Sequence, residues 1–386
     1  MTDARGIDRS YVDANGQEQH VPEATVEVLA GIIGEPTDHA APVVVRAGET
    51  PDVGRGDVHL EDGGTRPVDG PLPGDLPLGY HLLVSPDGAE RPVIVSPGRC
   101  HLPAGWRAWG WAAQLYAARS EASWGMGDLG DLSRLARWSR TQGAGFVLVN
   151  PLGAVAPVGA QQPSPYYPSS RRYRNPLYLR VEDVPGAEQV DDGVERAAAA
   201  GRALNADRAI DRDAVWALKE PALRAIWAGR HGEDGFDAWY RTAPEGVRQF
   251  ATWTALAGRL GAGWQDWPAD CRHPDGPGLA AAADDLGDEV RFHAWLQWLL
   301  EGQLAAAGRE LPVVQDLPIG VDPGGFDAWA WQDLLALDVS VGAPGDEFNR
   351  QGQDWGLPPF VPWRLRAAGY RPFIETIRAS MAAGGG

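Results

Sequence analysis

The sequence predicts an α/β protein in two parts, a small β-rich domain over residues 1–95 followed by a strand–helix–strand region over 96–386. Three observations predict it. Short β-branched runs bounded by Gly, Pro or Asp fill the segment from Ala41 to Cys100. From Trp109 the pattern changes to apolar strand, amphipathic helix, apolar strand. A long Ala-, Asp- and Trp-rich stretch, about 185–287, interrupts that alternation before it resumes.

In the first part, a short helix over Ala24 to Ile33 precedes the runs PVVVRAG, DVHL, YHLLVS and RPVIVSPG. Strands this short, with turn residues this close, describe a small antiparallel domain. In the second part, GWAAQLYAAR reads as a buried strand. The helix after it carries Leu129, Leu132, Leu135 and Ala136 on one face and stops at Gly143. GFVLVNPLG is the next strand, and one crossover helix between two strands implies a right-handed parallel unit. The interrupting stretch has helical pieces at DRDAVWALKEPALRAIWAG and GVRQFATWTALAGRLG, so it is a helical insertion. EVRFHAWLQWLLEGQLAAAG is then an amphipathic helix, with Phe292, Trp295, Leu296, Leu299 and Leu300 at three- and four-residue spacing. ELPVVQDLPIGVD reads as a third buried strand and FDAWAWQDLLALD as the next helix. Three such strands fit either a doubly wound sheet or part of a (β/α)₈ barrel.

Composition excludes several function classes. A net charge of −18 leaves no basic footprint for nucleic acid or an anionic membrane. Cys100 and Cys271 stand far apart and form no disulfide framework or metal motif. The N-terminus is polar, without the apolar core of a signal peptide, and no apolar run reaches membrane length. A cytoplasmic location is the expectation. The 17 Trp residues either fill cores or offer flat apolar faces to sugar rings.

If the strands are parallel, function belongs to the loops at their C-terminal ends. Those loops run from Arg119 to Asp128, from Asn150 to Tyr167 and from Asp316 to Val321. Asp316 stands where an apolar strand ends, so it is either functional or paired with an arginine. His20, His101 and His293 occur singly and read as structural. There is no dinucleotide fingerprint, phosphate loop, H-E-x-x-H, C-x-x-C or G-x-S-x-G. What remains is a lining of Tyr, Ser, Asn, Trp and one Asp, suited to hydroxyl-rich ligands.

Five segments carry a family resemblance. WGWAAQLYAARSEASWGMGDLGDL resembles the first strand and loop of the 4-α-glucanotransferases of glycoside hydrolase family 77. FVLVNPLGAVAP and SPYYPSSRRYRNPLYL are similar to that family's second strand and its S-P-Y-x-x-S…N-P-L run. FHAWLQWLLEGQL, VVQDLPIGVD and GAPGDEFNRQGQDWGLPPFVPW resemble, in the same order, its helix, third strand and acceptor-side loop. The resemblance extends from about Ser96 to the C-terminus, and the β-rich first part resembles the extension of longer bacterial members.

The resemblance implies a (β/α)₈ barrel, of which this chain holds about three strands, with no metal and no cofactor. It implies transfer of α-1,4-glucan segments between maltooligosaccharides by a retaining double displacement, which needs a nucleophilic carboxylate and an acid/base carboxyl. It assigns Ser164, Tyr166 and Asp316 to the sugar at the cleavage point, and Gln353 and Trp355 to the acceptor side. Asn175 matches the N-P-L motif, where fixing the loop is as natural a role as contact with sugar; Trp124 and Asp128 match loop anchors.

Two departures follow. Gly345 replaces a usual Pro, which is expected to loosen its loop. The family's R-x-D-H nucleophile motif is absent, so the nucleophile and acid/base are expected beyond Gly386 and the chain alone is expected to be inactive. The rival readings are a non-catalytic glucan-binding remnant and a hydrolase of the α-amylase clan.

Overall fold

The computed structural model describes residues 3–13, 15–36, 41–102, 104–190, 192–230 and 235–382. The chain divides into two compact units, Met1–Arg107 with Phe360–Ile374, and Ala108–Pro359 with Glu375–Gly386. The first unit therefore reaches past residue 95 and takes in a distant segment that the sequence did not signal.

In that unit, β1 (Ser10–Val12) and β2 (Glu18–His20) form a small antiparallel pair ahead of α1 (Glu23–Ile33). Five strands then make one sheet: β3 (Val43–Arg46), β4 (Asp52–His59), β5 (Thr65–Pro71), β6 (Gly79–Val84) and β7 (Glu90–Ser96). Their order is β3-β7-β6-β4-β5, parallel only between β3 and β7. Alternation aims the side chains: Val43 and Val45 enter the core with Val58, Leu83 and Val93, while Val44 faces out. The distant segment contributes a short helix, Pro362–Ala367, whose Trp363 donates to the Ile33 carbonyl at 3.2 Å.

The second unit holds a three-stranded parallel sheet of β8 (Gly110–Ala113), β9 (Phe146–Val149) and β12 (Val313–Gln315), with β9 in the middle. Two antiparallel pairs accompany it, β10 (Gly153–Ala154) with β11 (Ser170–Arg174) between β9 and β12 in sequence, and β13 (Val341–Ala343) with β14 (Gln353–Leu357) after β12. Helix α2 (Leu129–Thr141) crosses from β8 to β9, burying Leu129, Leu132 and Ala136. The insertion is helical: α3 (Gly193–Ala203), α4 (Arg212–Ala228), α5 (Gly235–Thr242), α6 (Glu245–Leu260) and α7 (Leu279–Asp285). Helix α8 (Gly287–Glu310) then returns the chain to the sheet.

Three elements differ from the sequence expectation. Strand β8 ends at Ala113, with Trp111 41% exposed, because it lies at an edge of the sheet. The Asn150 side chain then accepts from Leu115 N at 2.7 Å and draws the chain into a 3₁₀ turn, Leu115–Ala117. Helix α8 is not one-sided: α2 and α6 cover it, and it is buried from Phe292 to Gln297, including His293. The expected helix over 326–338 is one short piece, α9 (Phe326–Ala330), followed by a 3₁₀ turn, Gln332–Leu334.

Candidate active site

Three loops leave the C-terminal ends of the parallel strands, and the first is consumed by its own fold. Asp128 caps α2, accepting from Gly130 N and Asp131 N, and Asp131 returns a bond from the Asp128 N–H at 3.1 Å. Arg180 Nε reaches Asp128 Oδ2 at 2.8 Å and its Nη2 reaches Asp131 at 3.0 Å. Those carboxylates raise the Arg180 pKa against the cost of its burial. Trp124 is buried and donates to Glu182 at 2.9 Å. Asn175 caps the turn Pro176–Tyr178 by accepting from Leu177 N at 3.0 Å. These side chains hold loops.

The second and third loops meet. Asp316 follows β12, with its N–H donated to the Val149 carbonyl at 3.0 Å. Its Oδ2 accepts from Tyr166 Oη at 2.7 Å, so its partner is a phenol and not an arginine. That bond raises the Tyr166 pKa, keeping the phenol protonated as a donor. Ser164 turns the loop, its hydroxyl accepting from Tyr166 N at 3.3 Å. Trp355, on β14, donates its indole N–H to Gln353 Oε1 at 3.1 Å.

A cleft of about 350 Å³ opens between these loops, lined by Ser164, Tyr166, Tyr167, Ile319, Trp355 and Leu357. The structure thus gathers Ser164, Tyr166 and Trp355 on one cleft, with Asp316 bonded to a wall residue and Gln353 bonded to another. Sequence reasoning missed Tyr167, Ile319 and Leu357. Tyr167 Oη donates to the Gly356 carbonyl at 3.4 Å, and burial raises its pKa. The signal for Tyr167 was adjacency to Tyr166 in the S-P-Y run; the other two had none beyond their loops. A larger cavity, about 510 Å³, is walled by α2, α8 and Trp239 and touches no strand end. Size is therefore a poorer guide here than strand topology.

Gly345 sits in a closely packed turn. A Cβ at Gly345 would lie 2.4 Å from the Arg350 carbonyl oxygen, so the glycine permits a close backbone approach that proline would block. Asp346 Oδ1 accepts from Phe348 N at 2.9 Å and Asn349 N at 2.6 Å, closing the turn.

Chemically, the cleft presents an indole, two phenols and aliphatic carbons, flat apolar faces of the kind that pack against C–H groups. The Asp316 carboxylate is bonded to one of those phenols. Among the described residues that line the cleft there is no carboxylate, and no group of three His, Cys, Asp or Glu could hold a metal.

A profile of the 4-alpha-glucanotransferase family matches residues 113–385. The chain belongs to that family. The match begins at the last residue of β8 and includes every side chain of the cleft. The 4-alpha-glucanotransferase of Mycobacterium tuberculosis is 41% identical across 97% of this chain and 62% of its own length. That of Haemophilus influenzae is 31% identical across 79% of this chain and 49% of its own length. The chain thus spans less than two thirds of these curated relatives. The crystal structure of amylomaltase from Corynebacterium glutamicum superposes with a TM-score of 0.83 at 31% identity, over 99% of this chain and 63% of that one. An amylomaltase from Streptococcus agalactiae, solved in complex with acarbose, shares the fold with a TM-score of 0.61 at 17% identity, over 72% and 58%. No helix among the described residues is long and apolar enough to cross a membrane.

Proposed function

We propose that this chain forms the glucan-binding side of a cytoplasmic 4-α-glucanotransferase that passes α-1,4-glucan segments between maltooligosaccharides by a retaining double displacement. The observation that carries it is the Tyr166–Asp316 hydrogen bond at the wall of a cleft shared with Trp355. Tyr166 stacks on or bonds the ring at the cleavage point, Asp316 accepts from its hydroxyls, and Ser164 holds the loop. Trp355, steadied by Gln353, flanks the acceptor. The acarbose bound by the Streptococcus agalactiae amylomaltase supports a maltooligosaccharide-like ligand. In the same reading β8, β9 and β12 are strands of a (β/α)₈ barrel within a catalytic part, 96–386, with the helical insertion at about 185–287 and the β-rich domain over 1–95.

Retention requires two carboxyls about 5–5.5 Å apart. The 386 residues contain no R-x-D-H, and among the described residues Asp316 is the one carboxylate bonded to the cleft wall. On this reading the polypeptide by itself binds maltooligosaccharides without transferring them. Incubation with maltotriose tests this: bound sugar without glucose or longer oligomers is the expected result. Formation of longer oligomers would place a nucleophile within these residues, with Asp316 the first to replace. Reducing ends released as fast as maltotriose is consumed would instead make the chain a hydrolase.

A further inference from the structure

Behind the cleft lies a buried ionic group that the preceding reading does not use. Arg171, on β11, is 5% exposed, and its Nη1 donates to the carbonyls of Pro318 and Ile319 at 3.2 and 3.0 Å. Its own N–H donates to Asp327 Oδ2 at 2.8 Å. Asp327 is fully buried and also accepts from Ser170 Oγ at 2.9 Å and Arg172 Nε at 3.1 Å. Asp327 thus fixes the backbone from which the Arg171 side chain projects.

The residues that Arg171 holds are the third loop of the site. That loop is tied at its start by Asp316 N to the Val149 carbonyl, at 3.0 Å, and at its end by Asp322 N to the Pro168 carbonyl, at 2.8 Å. Between those ties, Arg171 takes the carbonyls of two residues, one of which, Ile319, is 64% exposed and lines the cleft. Arg171 also lies just after the loop that carries Ser164 and Tyr166. One side chain therefore joins the segment bearing the phenol to the segment bearing its carboxylate partner. A guanidinium suits this task, because a single Nη carries two N–H groups in a rigid plane and can serve both carbonyls.

We infer that Arg171, with its backbone fixed by Asp327, is a positioning residue that sets Asp316 and Ile319 against Tyr166 and so determines the shape of the glucan cleft. This rests on the glucan reading of that cleft. The alternative is a clamp that adds stability and nothing else.

The test uses the full chain, maltoheptaose as the probe, and the variants Arg171→Met and Arg171→Lys. Calorimetry reads affinity, and amide hydrogen exchange reads the loop from Asp316 to Asp322 against the α8 core. Arg171→Met is expected to weaken binding about tenfold, the scale of one lost hydrogen bond. It should also speed exchange in the loop while α8 keeps wild-type protection. Arg171→Lys keeps a charged donor and should recover part of both. Wild-type affinity and loop exchange in a folded Arg171→Met protein would overturn the inference. If that variant does not fold, Arg171→Lys decides: an intermediate loss supports positioning, and wild-type values on both readouts overturn it. A wild-type chain that fails to bind maltoheptaose would sink the glucan reading, and loop exchange in the variants would still decide the positioning role.

Discussion

Asp128 and Asp316 both stand in loops that follow parallel strands, yet their surroundings are opposite. Asp128 is fully buried, and its oxygens take two backbone N–H groups and Arg180, with the Lys219 ammonium 3.9 Å away. Asp316 is half-buried and has one side-chain partner among the described residues, the Tyr166 phenol. A carboxylate whose lone pairs are all spent on its own fold is an anchor. One that keeps an oxygen free can meet a ligand's hydroxyl. Residue type was the same in both cases, but Asp316 follows its strand directly while Asp128 caps the helix beyond its loop, and their hydrogen-bond occupancy differs accordingly.

The largest expected effect breaks the buried side of that comparison. Asp128→Ala removes a helix cap and leaves the Arg180 and Lys219 charges without their nearest carboxylate. Loss of one partner of a buried ionic group costs about 3–5 kcal/mol. Urea denaturation followed by tryptophan fluorescence should show it, with no specific change in sugar affinity for whatever remains folded. A loss below about 1 kcal/mol would mean that Asp131 and water already suffice, and Asp128 would cease to be the anchor.

Asp316→Ala should do the reverse. Stability stays within about 1 kcal/mol, because a half-exposed carboxylate gives up one bond that water can replace. Affinity for maltoheptaose falls about ten- to a hundredfold, the range for hydrogen bonds to a charged group. Calorimetry on the folded variant reads it. Unchanged affinity would remove Asp316 from the site and leave its bond to Tyr166 as loop architecture.

The exposed half of this contrast was legible in the sequence, and the buried half was less so. Ser164, Tyr166, Asp316, Gln353 and Trp355 sit in recognisable motifs, and the fold places Ser164, Tyr166 and Trp355 on one cleft, with Asp316 and Gln353 bonded to its wall residues. Lys219 shows why the buried network was harder to see. In ALKEPAL it looks like a solvent-facing residue, yet it is fully buried and donates to the Leu177 and Leu179 carbonyls at 2.7 Å each. The clue was helical phase, since Val215, Ala222 and Ile226 share its face of α4. Which carbonyls it would meet depends on the N-P-L segment crossing that helix, a tertiary fact that no local spacing encodes. Strand β8 failed for a related reason. An apolar run says that a segment is extended, but whether a strand has a neighbour on both sides is decided elsewhere in the chain.

The smallest effect belongs to a carboxylate between these extremes. Glu289, on α8, is one-third exposed and is held by His293 Nε2 at 3.1 Å and by Arg224 through two bonds at 2.7 and 2.9 Å. The His293 hydrogen bond first, then Arg224, hold its pKa down to about 2 from an ordinary 4.5. A depressed carboxylate stabilises the fold while it is ionised in both states. That contribution is complete above pH 4.5 and is lost as pH falls through about 2. Glu289→Gln should therefore flatten the acid side of the stability curve between those values. The difference from wild type should be about 1 kcal/mol or less, because water screens a side chain this exposed. Equal acid sensitivity in both proteins would show that most of the Glu289 charge faces solvent. A loss several times larger would group it with Asp128 and make α8 a second ionic anchor of the unit.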